Sequence, residues 1–188
     1  MKLASTLIGF ALWLSALPVS AGFANVDLSE APCCSKFVLS DPQGKTRTIG
    51  DYQGKVVVIT FGFTNCPDVC PTTLQSLAET MSLLGNQGQS VQVLFVTLDP
   101  QRDTAQILSK YVPSFNPSFV ALRGSDAQTA KAARDFRVTF QRVPGTTPGT
   151  YTVDHTIGVY VLDKSGKARV FARSAEPRKL AADIRQLL

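Results

Sequence analysis

Residues 55–73 read KVVVITFGFTNCPDVCPTT. Lys55 to Phe63 is a continuous β-branched and aromatic run with no polar alternation, the pattern of a strand covered on both faces in the middle of an α/β sheet. Pro71 and the stretch from Thr72 to Leu84 then read as a helix. Leu74, Leu77, Met81 and Leu84 are spaced for one buried stripe, and Gly85 can terminate it. Between strand and helix lie Cys66 and Cys70, four residues apart in a proline-flanked turn. That turn sits at the carboxyl end of the strand, where α/β proteins place their sites.

Outward from this segment the punctuation alternates. Lys36–Leu39 and Lys45–Ile49 flank the turn signal Ser40-Asp41-Pro42-Gln43-Gly44 and predict a β-hairpin. Val91–Leu98 reads as a second buried strand. A loop at Asp99–Thr104 leads into a helix over Thr104–Tyr111, with Asp103 as its cap. Phe119–Leu122 reads as a short strand, and Ser125–Phe136 as a helix capped by Ser125 or Asp126. A Gly/Pro-rich loop at Val143–Thr150 precedes a strand pair around Thr156–Leu162 and Ala168–Ala172, and a last helix starts at Glu176. This order predicts an α/β, thioredoxin-like fold: a central mixed sheet flanked by helices, with an N-terminal hairpin and an inserted loop. No repeat or linker marks a second domain.

Composition narrows the chemistry. The 188 residues include four cysteines, one histidine, 19 Lys+Arg and 14 Asp+Glu, for a net charge of +5. One histidine excludes histidine-rich metal sites and zinc-finger arrays. With 44% hydrophobic and 18% charged residues the chain is neither disordered nor a basic nucleic-acid arm. No phosphate loop or aromatic-interleaved basic stripe is present, so no nucleic-acid partner is expected. At the N-terminus, Lys2, the apolar stretch Leu3–Leu17 and the small residues Val19-Ser20-Ala21 fit a signal peptide at residues 1–21, cleaved after Ala21. The alternative is an uncleaved membrane anchor. Loss of Lys2 takes the charge from +5 to +4. Residues 22–35 form an N-terminal segment, and 36–188 the folded domain. Export, and a periplasmic location with or without an inner-membrane anchor, would put the cysteines where disulfides are permitted.

Cys66 and Cys70 can point to one side, within reach of one ion or of each other. The helix dipole close to Cys70 should lower the thiol pKa and favour thiolate. Metal ligation and redox exchange are therefore both open, beside an inert disulfide or a buried structural pair. The spacing is not Cys-x-x-Cys, so fold alone does not make the chain a disulfide oxidase.

Residues 55–73 resemble the copper-binding loop of the Sco/SenC family, exported thioredoxin-fold proteins that help insert copper into cytochrome c oxidase. Asp99-Pro100-Gln101-Arg102-Asp103-Thr104 is similar to a second signature of that family, and Val153-Asp154-His155-Thr156 with Val159–Asp163 to a third. The resemblance runs from about Phe37 to the C-terminus. It implies that Cys66, Cys70 and His155 bind one copper ion, as Cu(I) or Cu(II). The partner it implies is the copper-bearing subunit of the oxidase or another copper chaperone. Two thiolates and one imidazole form a soft set suited to Cu(I), whereas zinc normally requires a fourth donor and no second histidine exists.

Several residues keep two readings. Asp154 either orients the imidazole or shapes the strand entry. Asp68 shapes its loop by accepting backbone N–H bonds, and Met81 belongs to the core. Arg102 pairs with Asp99 or Asp103 to stiffen the second signature. Cys33 and Cys34 depart from the family pattern and are read as a structural or redox accessory rather than a second copper site. The basic residues Lys164, Lys167, Arg169, Arg173, Arg178 and Lys179 either steer an acidic partner or form an ordinary solvated face. Three functions follow: a copper metallochaperone without turnover, a thiol-disulfide oxidoreductase using Cys66 and Cys70, and a peroxide-reducing or redox-sensing thiol protein.

Overall fold

The computed structural model describes residues 22–188; the signal-peptide assignment at 1–21 lies outside the described residues. Ten strands are formed: β1 (Val26–Asp27), β2 (Leu39–Ser40), β3 (Thr46–Arg47), β4 (Val56–Gly62), β5 (Val91–Thr97), β6 (Val120–Leu122), β7 (Phe140–Pro144), β8 (Tyr151–His155), β9 (Val159–Leu162) and β10 (Ala168–Ala172). Four α-helices accompany them: α1 (Val69–Leu84), α2 (Ala105–Tyr111), α3 (Asp126–Asp135) and α4 (Pro177–Arg185). The central sheet has the order β1-β10-β9-β4-β5-β6. β4 and β5 run parallel, as do β5 and β6, while β9 is antiparallel to β4. The sheet is mixed, and the fold is thioredoxin-like.

All seven residues of β4 are buried. Because side chains alternate across a sheet, the run feeds two cores. Val57, Ile59 and Phe61 pack with Ala132 and Ala133 of α3 and with Phe136 just beyond it on one face. Val56 and Val58 pack with Leu74 and Leu77 of α1, Leu108 of α2, and Leu180 and Ile184 of α4 on the other. The unbroken apolar pattern reflects cover on both sides.

Asp41 shapes the β2–β3 hairpin, its Oδ1 accepting the N–H groups of Gln43 and Lys45 and its Oδ2 facing Arg47. Residues 22–27 are held against the domain: β1 pairs with β10, and buried Asp183 accepts the N–H groups of Ala24 (2.6 Å) and Asn25 (3.1 Å).

Three expectations are corrected. Helix α1 begins at Val69, so Cys70 lies in its first turn and Pro71 follows inside it. The cap of α2 is Thr104, whose hydroxyl accepts the Ile107 N–H at 3.2 Å. Asp103 is turned inward instead. The loop expected at Val143–Thr150 is the end and tip of the β7–β8 hairpin, in which Phe140 lies opposite His155. His155 is the last residue of β8.

Candidate metal centre

Strand β4 ends at Gly62, and the chain turns through Thr64–Asp68 into α1. A side chain at Gly62 would force its neighbours to shift: a Cβ there would lie 2.8 Å from Cys70 Sγ and 3.0 Å from the Phe95 ring. Glycine inside a strand marks such a close approach. Cys70 is buried and Cys66 half-buried, and both are free thiols. The Cys70 N–H points at Cys66 Sγ, 3.4 Å away.

His155 arrives from the other end of the sequence. Its Nε2 lies 3.9 Å from Cys70 Sγ, and its Nδ1 lies 2.9 Å from the Thr156 carbonyl oxygen. A carbonyl only accepts, so Nδ1 carries the hydrogen; in the neutral ring the lone pair is then on Nε2, the atom that faces the sulfur. Phe63 stands edge-on to the imidazole, ring centroids 6.2 Å apart. The space enclosed around Cys70 and His155 is about 10 Å³. That is about one water-sized probe, room for an ion and not for an organic substrate.

The Asp99–Thr104 loop braces both halves of this arrangement. Asp103 is fully buried and accepts the Thr64 N–H (3.2 and 3.1 Å), the Thr64 hydroxyl (2.5 Å) and the Thr97 hydroxyl (2.5 Å). It thereby fixes the start of the cysteine turn. Asp99, also fully buried, pairs with Arg102 and accepts the Tyr151 hydroxyl at 2.8 Å. The Arg102 guanidinium stacks 3.7 Å from the centre of the Tyr151 ring and donates to the Tyr151 carbonyl at 2.7 Å. Tyr151 begins the strand that His155 ends. Of the two readings for Arg102, the pair with Asp99 is the one formed.

Burial pushes the Cys70 thiol well above the ordinary cysteine range, against a hydrogen bond from the Phe63 backbone. The expected lowering by the helix dipole is overridden at Cys70, because desolvation penalises the charged form. Cys70 and His155 are thus brought together as expected. Among the described residues no three His, Cys, Asp or Glu side chains are gathered closely enough to enclose an ion; Cys66 Sγ is engaged with the Cys70 N–H. Asp154 is exposed and does not orient the ring; the Thr156 carbonyl does. Asp68 is exposed and makes no side-chain cap bond. Cys33 and Cys34 form a disulfide with each other. Gly62, Asp103, Tyr151 and Thr156 were not read as site residues. Only Gly62 carried a local signal, as a glycine breaking a β-branched run.

Fold and site together define a thioredoxin-like protein with two thiols and one imidazole at its strand-to-helix turn. The chain matches the SCO1/SenC family over residues 26–188, and it belongs to that family. It is 41% identical over 132 residues to the zebrafish (Danio rerio) protein SCO2 homolog, mitochondrial, covering 69% of this chain and 47% of the relative. With the bovine SCO2 homolog it shares 39% identity over 145 residues, 74% of this chain and 54% of the relative. The chain thus spans about half the length of these relatives. Bradyrhizobium japonicum ScoI with copper bound superposes with a TM-score of 0.74 at 36% identity, covering 83% of this chain and 99% of that one. The apo Sco1 protein of Thermus thermophilus gives 0.80 at 37% identity, covering 90% and 99%.

Proposed function

We propose that this chain is a copper metallochaperone that takes one copper ion on Cys66, Cys70 and His155 and delivers it to the binuclear copper centre of a cytochrome c oxidase. The observation that carries the reading is the placement of His155. Its Nδ1 stands 2.9 Å from the Thr156 carbonyl oxygen, which turns Nε2 toward Cys70 Sγ at 3.9 Å. Metal–thiolate and metal–imidazole bonds of about 2.3 and 2.0 Å at a trigonal angle put the two donors roughly 3.7 Å apart. The pair already stands near that spacing. Cys66 would complete the set by turning its sulfur away from the Cys70 N–H, and both thiols would release their protons to solvent as the ion binds. Two thiolates and an imidazole favour Cu(I), and a three-donor site leaves a partner's ligand room to attack. The copper-bound Bradyrhizobium neighbour supports copper as the cargo.

The apolar leader at Leu3–Leu17 and the Cys33–Cys34 disulfide support an exported, periplasmic protein. Residues 1–21 then act as its signal peptide or anchor and 36–188 as its copper-binding domain.

Anaerobic copper titration of the chain and of His155→Ala tests the reading. One copper per chain is expected for the parent, with weaker binding and altered spectra for the variant. Equal affinity and unchanged spectra would refute the three-donor site. A second reading, thiol-disulfide exchange with acceptor thiols, is favoured by the two free cysteines facing each other across the turn. Exchange survives His155→Ala and is lost in Cys66→Ser. Peroxide consumption that persists without His155 and fails in Cys66→Ser or Cys70→Ser would favour the peroxidase reading.

A further inference from the structure

Cys33 and Cys34 are neighbours in sequence and are joined to each other. A disulfide stabilises a fold by shortening the loops open to the unfolded chain, and its effect grows with the number of residues enclosed. This bridge encloses none. It ties no two elements together, so a role as a structural staple does not account for it.

The local backbone points the same way. Cys34 has φ 69°, in the left-handed region, and is one of two non-glycine residues with positive φ among those described. L residues other than Asn and Asp rarely adopt it. Conformations of this kind persist only where the surroundings impose them, and they cluster at switch and functional sites. Here the imposing features are the eight-membered disulfide ring and the hydrogen bond from the Cys34 N–H to the Asp135 carbonyl at the end of α3, 2.9 Å. The two sulfurs are unequally placed. Cys34 is 2% exposed, whereas Cys33 is only half-buried. Both line an open cleft of about 250 Å³ with Pro32, Ser35, Lys36 and Asp135.

We propose that Cys33–Cys34 is a second two-electron thiol-disulfide site, independent of Cys66 and Cys70, that exchanges with a dithiol entering this cleft. The thiolate of the dithiol attacks Cys33 Sγ, the more accessible sulfur. The Sγ–Sγ bond breaks, and its electron pair leaves on Cys34 Sγ, which takes up the proton given by the attacking thiol. The second thiol of the reductant then displaces Cys33 from the mixed disulfide. The chain ends with two thiols and the reductant with one disulfide, two electrons and two protons having passed to the chain. The reverse exchange with the oxidised dithiol restores the ring. Opening it releases Cys34 from the constraint that holds its backbone, so protection of the Cys34 amide falls with reduction.

The test uses the full chain carrying Cys66→Ser and Cys70→Ser, equilibrated without oxygen against mixtures of reduced and oxidised dithiothreitol, alkylated and weighed. Alkylation of Cys33 and Cys34 is expected together in a single two-electron step, reversed by the oxidised reagent, at unchanged far-UV circular dichroism. Amide exchange at Cys34 rises along the same curve. The proposal is overturned by resistance to reduction until the chain unfolds, by alkylation of both cysteines under fully oxidising mixtures, or by re-oxidation that yields linked dimers. Should the double variant not fold, the same titration of the parent chain with peptide mapping separates the two cysteine pairs. None of these outcomes depends on copper, so the site stands or falls apart from the metallochaperone reading.

Discussion

Gly62→Ala is the sharpest perturbation of the site that leaves every proposed ligand in place. The added methyl carbon would lie 2.8 Å from Cys70 Sγ and 3.0 and 3.3 Å from two atoms of the Phe95 ring. Ordinary contacts are about 3.5–4.0 Å, so roughly 1 Å of retreat is needed. Phe95 is fully buried and cannot swing into solvent; the sulfur must yield. Overpacking of this size costs about 1–3 kcal/mol, and at about 2–4 °C per kcal/mol for a chain of this length it lowers the melting temperature by roughly 2–12 °C. Metal–donor distances tolerate only about 0.2 Å, so a sulfur moved by roughly 1 Å would no longer meet an ion held by His155 in the proposed site. Cu(I) affinity, read by competition with a chelator of known strength, should fall by at least about tenfold, or 1.4 kcal/mol. Wild-type affinity together with an unmoved melting temperature would refute the reasoning. A double-mutant cycle with Cys70→Ala locates the strain. If the sulfur is the obstacle, the stability penalty of Gly62→Ala shrinks when the sulfur is gone, and an equal penalty in both backgrounds would assign the strain to Phe95.

Asp103→Asn replaces an acceptor-only carboxylate that holds the Thr64 N–H and two hydroxyls. The inserted amide N–H₂ must face donors, so a loss of about 1–3 kcal/mol in denaturant unfolding is expected, with weaker copper binding as the cysteine turn loosens; unchanged values for both would show that Asp103 does not brace the turn. Burial pushes Tyr52, Tyr111 and Tyr160 up to about 12. Each stays protonated in the folded chain at pH values where the unfolded chain has ionised, so their contribution is full below about pH 10 and is lost as pH rises toward 12. Urea midpoints should fall across that window, less steeply in Tyr160→Phe, and a flat profile would contradict the burial of these phenols.

Legibility followed the range of the forces involved. The strand at 56–62 and the turn after it were readable because burial on both faces and the glycine and proline punctuation act within a few residues. The β7–β8 hairpin was not. Only Val153 of its strand residues is buried and β7 ends in Pro144, and part of what anchors the hairpin, Arg102 stacked on Tyr151, comes from 49 positions away. The same distance hid Asp103. It was read as the cap of α2, a role that Thr104 takes one residue later, because Asp103 accepts the hydroxyls of Thr64 and Thr97 instead. His155 was singled out through its resemblance to a family signature, since nothing beside it in sequence announces a sulfur 85 positions away. At Cys70 the expectation of a lowered thiol pKa failed because burial, the largest influence on the group, raises it.

The bracing loop gives the proposed copper site an asymmetry that suits transfer. Asp103 holds the strand side of the cysteine turn through Thr64, while Asp99 and Arg102 hold the strand of His155 through Tyr151. One six-residue segment therefore sets the separation of two donors that enter from opposite ends of the sequence. Cys70 is further confined by Gly62 and Phe95. Cys66 is held less firmly, half-exposed in the turn, with its sulfur engaged by a single N–H at 3.4 Å. In the proposed site, Cys70 and His155 would already stand near the spacing an ion needs, and Cys66 would be the donor that moves to complete the set. A partner thiol that competes with Cys66 alone would reduce the site to two donors without disturbing the fold. Release then requires rotation of one side chain, not the opening of the domain.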